Sequence, residues 1–328
     1  MVDVGDRIAQ VYAQFADQQA RGSSPSLESW ARTVVEDSAV LSRLARLPQA
    51  KRQPNLVFAC LRWHGAQPGN ADSLREGVLA HWDRLRTTIL KRSTQTNEPA
   101  RCAVLLPLVH QIPGPIALIE IGAAAGLCLI PDQYSYRYSD GTIVHPPTGP
   151  SSVVIDCQIT TGGLPPHLAT PDVVWRAGLD LNPLDASDPD TAAWLTTLIW
   201  PEHDDRRARL LAALNVAANV SIRTDRGDLS DGLTALLAEV PTGATAVIQH
   251  SATLAYLSAE DRLQTATTIA DSGARWISFE GRGVITFASG VPESSSPDDL
   301  FIAALDRTPM ATSSGHGGTM AILGSPQP

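Results

Sequence analysis

The stretch Pro115–Ile130, P-I-A-L-I-E-I-G-A-A-A-G-L-C-L-I, constrains the fold more than any other part of the chain. An apolar run from Ile116 to Ile121 carries one acid, Glu120, and stops at Gly122. A run of that length reads as a buried strand of a parallel sheet. Three alanines and Gly126 follow, then Leu127–Ile130, whose residues favour helix. The glycines let backbone approach a ligand or a neighbouring element closely. The pattern predicts the strand–turn–helix of a nucleotide-binding α/β unit.

The chain has 328 residues, 43% of them hydrophobic, which is enough for about two domains. A formal net charge of −9, with 25 Lys and Arg spread thinly, argues against nucleic acid as the main partner. The four cysteines at 60, 102, 128 and 157 include no C-x-x-C pair, and no His stands at zinc-like spacing. Neither a disulfide framework nor a metal site is expected. The N-terminus M-V-D-V-G-D-R lacks the apolar core of a signal peptide. No window approaches the roughly 18 apolar residues of a membrane span. These features predict a reduced, soluble, cytoplasmic protein with no membrane partner.

Residues 1–112 read as an all-helical domain. Val4, Ile8, Val11, Tyr12 and Phe15 recur at helical spacing, and Ser26 stands as the N-cap of a second helix. Residues 113–328 read as the α/β domain, with a β-hairpin inserted at about 132–160 on the alternation of Tyr134, Tyr136 and Tyr138. Between the domains lies the polar run T-Q-T-N-E-P-A-R-C, residues 94–102. Asn97 there is a candidate helix N-cap, or else Asn97, Glu98 and Arg101 face the cleft on which the central strand opens.

Later strand-like runs end in chemistry-bearing residues. Val173–Leu179 ends in Asp180, and Val220–Thr224 is followed by Arg226-Gly227-Asp228. Thr245–Gln249 ends in His250-Ser251, with Tyr256 just beyond, and Trp276–Phe279 ends in Glu280. Leu300–Asp306 and Thr319–Leu323 read as an antiparallel pair joined by a mobile turn, the glycine-rich Ser313–Gly318. Ligands of α/β sheets bind outside the carboxyl ends of the strands, and an acid after the second core strand takes ribose hydroxyls. That acid commonly lies about 20 residues after the glycine turn, and the inserted hairpin accounts for the greater distance of Asp180. The turn G-A-A-A-G lacks the middle glycine of a pyrophosphate-binding fingerprint, and no Walker A motif is present. An adenosine ligand without a pyrophosphate fits better, and S-adenosylmethionine is the common one.

The ordered set L-I-E-I-G-A-A-A-G-L, T-Q-T-N-E-P-A-R-C, W-R-A-G-L-D-L-N-P-L-D, W-P-E, R-G-D-L and H-S-A-T-L-A-Y-L resembles the bacterial domain-of-unknown-function family 2332 over essentially the whole chain. The central segment is similar to class I S-adenosylmethionine-dependent methyltransferases. That similarity implies a Rossmann-like, mostly parallel sheet. It implies that Glu120, Gly122, Ala123 and Gly126 line the methionine side of the cofactor, with Asp180 on the ribose and Asp228 on the adenine. The expected activity is methyl transfer to a small molecule. His250, Glu98 or Glu280 would take the acceptor's proton, and Asn97, Arg101, Ser251 and Tyr256 would hold the substrate. The alternative is a non-catalytic protein that binds a metabolite or partner on the same scaffold. A hydrolase built on His250 and Ser251 lacks the G-x-S-x-G elbow.

Overall fold

A computed structural model describes residues 4–227, 229–287, 291 and 301–323. Asp228, the proposed adenine ligand, and the Ser/Pro-rich loop at 289–297, apart from residue 291, lie outside the described residues. Six helices come first: α1 (Val4–Phe15), α2 (Pro25–Glu36), α3 (Ser38–Leu44), α4 (Pro54–Trp63), α5 (Ala71–Arg75) and α6 (Trp82–Lys91). Then follow α7 (Arg101–Val109), β1 (Ile116–Ile121), β2 (Ser135–Tyr138), β3 (Ile143–Val144), β4 (Val154–Thr161) and β5 (Val173–Asp180). Next are α8 (Pro189–Leu198), α9 (Asp204–Ala217), β6 (Arg223–Arg226), α10 (Leu229–Ala238) and β7 (Thr245–Ser251). The described chain ends with α11 (Ala259–Asp271), β8 (Arg275–Gly281), β9 (Phe301–Leu305), β10 (Thr308–Ser313) and β11 (Thr319–Ile322). No helix among these is long and apolar enough to cross a membrane.

The chain divides into two units, Met1–Thr96 with Asp190–Ala208, and Asn97–Pro189 with Arg209–Pro328. The division differs from a single cut at residue 112. α7 and the segment before it belong with the sheet, while residues 190–208 return to the helical unit. The reason lies in their side chains. Trp194 joins the helical core with Tyr12, Phe15, Trp30 and Phe58. Trp200 donates to Asn55 Oδ1 at 3.0 Å, and Glu202 accepts from the Ser24 hydroxyl and the Ser26 amide. Arg92 lies 4.8 and 5.1 Å from the rings of Trp63 and Trp194 and pairs with Asp190 at 2.7 Å. The W-P-E motif is thus a clasp within the helical unit. The N-cap of α2 is Ser24, whose hydroxyl accepts from Leu27 N with Pro25 in the first turn, rather than Ser26.

The second unit carries an open, mostly parallel α/β sheet of eleven strands in the order β3-β2-β4-β11-β10-β9-β8-β7-β1-β5-β6. Strands β6, β5, β1, β7 and β8 are mutually parallel, so their carboxyl ends share one edge. One face of this core packs Ile119, Ile121, Ala177, Leu179 and Ile248 against Leu233, Leu236 and Ile269 of α10 and α11.

Three expectations change. Leu127–Ile130 forms turns, not a helix. Pro131 disfavours helical backbone at Ile130, and the remaining residues are too few to offset helix nucleation. The segments at 301–305 and 319–322 do not pair directly, because β10 lies between them and pairs with both. Pro309 hid that strand, since proline donates no ladder hydrogen bond; it sits at a register shift. Finally, the β2–β3 hairpin and β4 extend the main sheet through the parallel pairing of β4 with β11. Tyr134, Tyr136 and Tyr138 are all buried, and their hydroxyls donate to the carbonyls of Leu127, Pro131 and Ala103. They are packing residues.

Candidate functional site

The order β5-β1-β7 reverses direction at β1, so the crevice outside the ends of β1 and β7 is the switch point where ligands of open α/β sheets bind. Strand alternation sorts the candidate residues. Glu120 is in register with Gly178 and Gln249, while Ile121 matches Leu179 and His250. Adjacent strand residues point to opposite faces. Glu120, Gly178, Asp180, Gln249 and Ser251 therefore share one face, whereas His250 and Glu280 belong to the face of α10 and α11.

This separation decides the role of His250. The ring is fully buried; Nε2 accepts the indole N–H of Trp276 at 2.9 Å, so Nδ1 carries the hydrogen donated to Glu280 Oε1 at 2.7 Å. No ring nitrogen remains to take a proton from an acceptor, and the expectation that His250 acts as a general base is corrected. The His250–Ser251 hydrolase reading fails on the same geometry. Glu280 Oε1 also accepts from the amides of Thr253 and Leu254 at 2.9 and 3.1 Å. Burial pushes its carboxyl up, but these hydrogen bonds outweigh burial and hold it below the usual range. Glu280 is a buried, ionised anchor for the loop after β7. Its Oε2 atom has no partner among the described residues.

On the other face, the Gly122–Gly126 loop is held by side chains rather than left open for a phosphate. Asp180 Oδ2 accepts from Ala124 N at 2.8 Å, and Asn97 Oδ1 accepts from Ala125 N at 2.9 Å. Asn97 therefore caps this loop and not α7. The amides of Gly122 and Gly126 bond to the carbonyls of Leu179 and Ala123. The glycines answer close contacts within the protein: a Cβ on Gly122 would collide with Thr253 Oγ1, and one on Gly126 would meet Ile222 Cγ2 at 2.8 Å. Ala123 packs its methyl toward Gly178 in the same way.

The loop nevertheless keeps a glycine-turn backbone. The φ angles at 122, 124 and 126 are +74°, +48° and +73°, so Ala124 adopts the left-handed conformation where a middle glycine would stand. Left-handed backbone costs an alanine about 1–2 kcal/mol, and glycine loses about 0.5–1 kcal/mol through its freer unfolded chain. Ala124→Gly is therefore expected to raise stability by up to about 1.5 kcal/mol in urea titrations. A loss of stability would show that the Ala124 methyl packs more than it strains. Ala252, at φ +53° after β7, repeats the same strain across the crevice. Such outliers concentrate at functional sites.

Among the described residues, three groups on this face lack complete partners. Glu120 is 3% exposed and its Oε2 has no hydrogen bond. Burial, with the neighbouring Cys128 thiol, raises its carboxyl well above the ordinary range, only partly opposed by Arg101. Asn97 Nδ2 is buried and unpartnered. Arg101 is 5% exposed and donates to the carbonyls of Gly315 and Ser251 and to the Ser251 hydroxyl, none of them a carboxylate. A buried guanidinium whose hydrogen-bond partners among the described residues are all neutral is unusual. Through Gly315, and through the contact of Gly317 with Ala100, the Ser313–Gly318 turn packs on the start of α7 rather than forming a free edge.

Glu98 is no free base. Its Oε1 accepts from Ala100 N and from Arg209 Nε, both at 3.2 Å. Tyr256 is 85% exposed beyond β7, apart from the buried group. Thr253, Gln249 and Trp276 were missed in the sequence. Gln249 Nε2 donates to Cys128 O at 2.7 Å and fixes the turn after Gly126. The period of two along Thr245–Ser251 was the available signal for Gln249, which shares the face of Ser251.

No curated protein matches the chain. The profile of the family described as "Uncharacterized protein conserved in bacteria (DUF2332)" matches residues 9–320, and the chain belongs to that family.

Proposed function

We propose that the protein binds S-adenosylmethionine at the carboxyl edge of β5, β1 and β7 on a Rossmann-like sheet and transfers its methyl group to a small molecule. The observation that carries this reading is the backbone of residues 122–126, which retains three alternating left-handed residues although alanine replaces the middle glycine. The donor set supports the same ligand. Asp180 uses one lone pair of each oxygen on the amides of Ala124 and Asn182, leaving acceptor capacity for ribose hydroxyls. Arg101 and Asn97 Nδ2 suit a carboxylate, and Glu120, on giving up its proton, suits an ammonium group. The bound cofactor would supply an electrophilic methyl on a sulfonium. The chain's own part is to orient the reactants; the hydrogen bonds of His250 and Glu98 leave neither as a free base. That absence favours, as a second reading, metabolite binding without turnover.

Calorimetric titration with S-adenosylhomocysteine should give saturable binding, weakened about tenfold, or ~1.4 kcal/mol, in Asp180→Asn. No heat of binding at millimolar ligand would sink both readings for this cofactor. Binding without methyl transfer to any of a panel of small-molecule acceptors would select the second.

A further inference from the structure

Cys102 and Cys128 lie on neighbouring segments beneath the site. Cys102 stands in the first turn of α7 and Cys128 in the turn after Gly126, and all four cysteines are free thiols. Each of the two sulfurs reaches the other's segment. Cys102 Sγ lies 3.9 Å from Leu127 O, and Cys128 Sγ lies 3.7 Å from Glu98 O. These crossed contacts set Cys102 Sγ against the peptide unit that leads into Cys128, and Cys128 Sγ against the segment that leads into α7. We propose that Cys102 and Cys128 form a redox-active dithiol, which closes to a disulfide when a hydroperoxide reaches the site.

The surroundings assign the two roles. The hydrogen bond from Cys102 lowers the Cys128 thiol against the opposing effect of burial, with Arg101 and the Ser251 hydroxyl assisting. Burial and the same hydrogen bond push Cys102 well up, so it is the proton-holding partner. Cys128 is also the more exposed, at 7% against 0%, and a small oxidant meets it first. Cys60 and Cys157 differ: burial pushes both up to about 12.

The chemistry balances with the peroxide as oxidant. Cys128 thiolate attacks one peroxide oxygen, the S–O bond forms as the O–O bond breaks, and the leaving oxygen takes the proton given up by Cys128. The product is a sulfenic acid plus an alcohol, or water in the case of hydrogen peroxide. Cys102 sulfur then attacks that sulfenic sulfur. The S–S bond forms, the S–O bond breaks, and the departing hydroxide leaves as water with the proton of Cys102. The thiols lose two electrons together and the peroxide gains them. The new bond would staple the segment carrying Asn97 and Arg101 to the Gly122–Cys128 loop, where the Asn97–Ala125 hydrogen bond already joins them.

The test uses the full chain and hydrogen peroxide, with acid quench, alkylation under denaturing conditions and peptide mapping. A cross-linked peptide holding Cys102 and Cys128 is expected, with Cys60 and Cys157 alkylated and the link reversed by dithiothreitol. Cys102→Ser should leave a sulfenic acid on Cys128 that dimedone traps. Recovery of Cys102 and Cys128 as free thiols after excess peroxide, or direct conversion of Cys128 to sulfinic acid in the unmodified chain, overturns the proposal. The unmodified chain decides alone if the variant does not fold. The readout is covalent, so its failure says nothing against ligand binding.

Discussion

Replacing Glu120 with Gln is expected to stabilise the protein at neutral pH, by about 1–3 kcal/mol, because each pH unit over which the folded chain holds a proton that the unfolded chain has lost costs about 1.4 kcal/mol. Glu120 sits inside β1, buried, with Oε2 unpartnered and its carboxyl raised well above the ordinary range, first by burial. The sign follows from proton binding. In the unfolded chain the group loses its proton near pH ~4.3, whereas in the folded chain it keeps the proton to higher pH. Between those points the folded state binds more protons, so stability is full below the window and falls as pH rises through it. The amide of the Glu120→Gln variant has nothing to titrate. The difference between the two proteins should vanish in acid and open as pH rises. Urea unfolding of both from pH 4 to 8 measures it, and parallel curves across that range would refute the assignment. The variant should also bind the ligand more weakly, since an acid kept at a cost to stability is expected at a working site.

Gly122→Ala should act in the opposite direction, costing about 3 kcal/mol. Left-handed backbone accounts for roughly 1–2 kcal/mol, and forcing a methyl into a filled space for roughly 1–3 kcal/mol. The added Cβ would fall 2.5 Å from Thr253 Cγ2 and 2.9 Å from its Cβ. Thr253 cannot turn away freely. It is β-branched, and its hydroxyl donates within reach of the carbonyls of Ile121 and Ser251, both at 3.3 Å. Pairing the change with Thr253→Gly should recover the steric share and leave the backbone share, a coupling visible in a double-mutant cycle. A single-variant loss below about 1 kcal/mol would mean that the two loops can separate cheaply.

Much of the sheet was legible because β1, β7 and β8, buried along most of their length, and β5, buried only near its carboxyl end, are largely apolar runs that end in polar residues. β10 was not, because Pro309 reads as a break and only a bulge accommodates it. The site was legible in its residues and not in their partners. Asp180 and Asn97 spend their oxygens on the amides of Ala124 and Ala125, 56 and 28 positions away. No local pattern encodes such pairs. The opposed faces of His250 and Ser251 were available from strand periodicity, yet the hydrogen bond from Trp276 that occupies the remaining lone pair of His250 was not. The glycines were read correctly as close-approach positions, although what approaches them is Thr253 and Ile222.

The pairing of β11 with β4 has a kinetic consequence. Gln158 meets Thr319 across this joint, so the β2–β3–β4 edge attaches to the remaining sheet only after residues 319–322 have been made. Contacts so distant in sequence form slowly, because the long loop must close before the pairing offsets it. During synthesis β4 would wait with one side unsatisfied, a strand edge open to foreign partners. The order of emergence from the ribosome thus makes β11 the latch on a segment translated long before it.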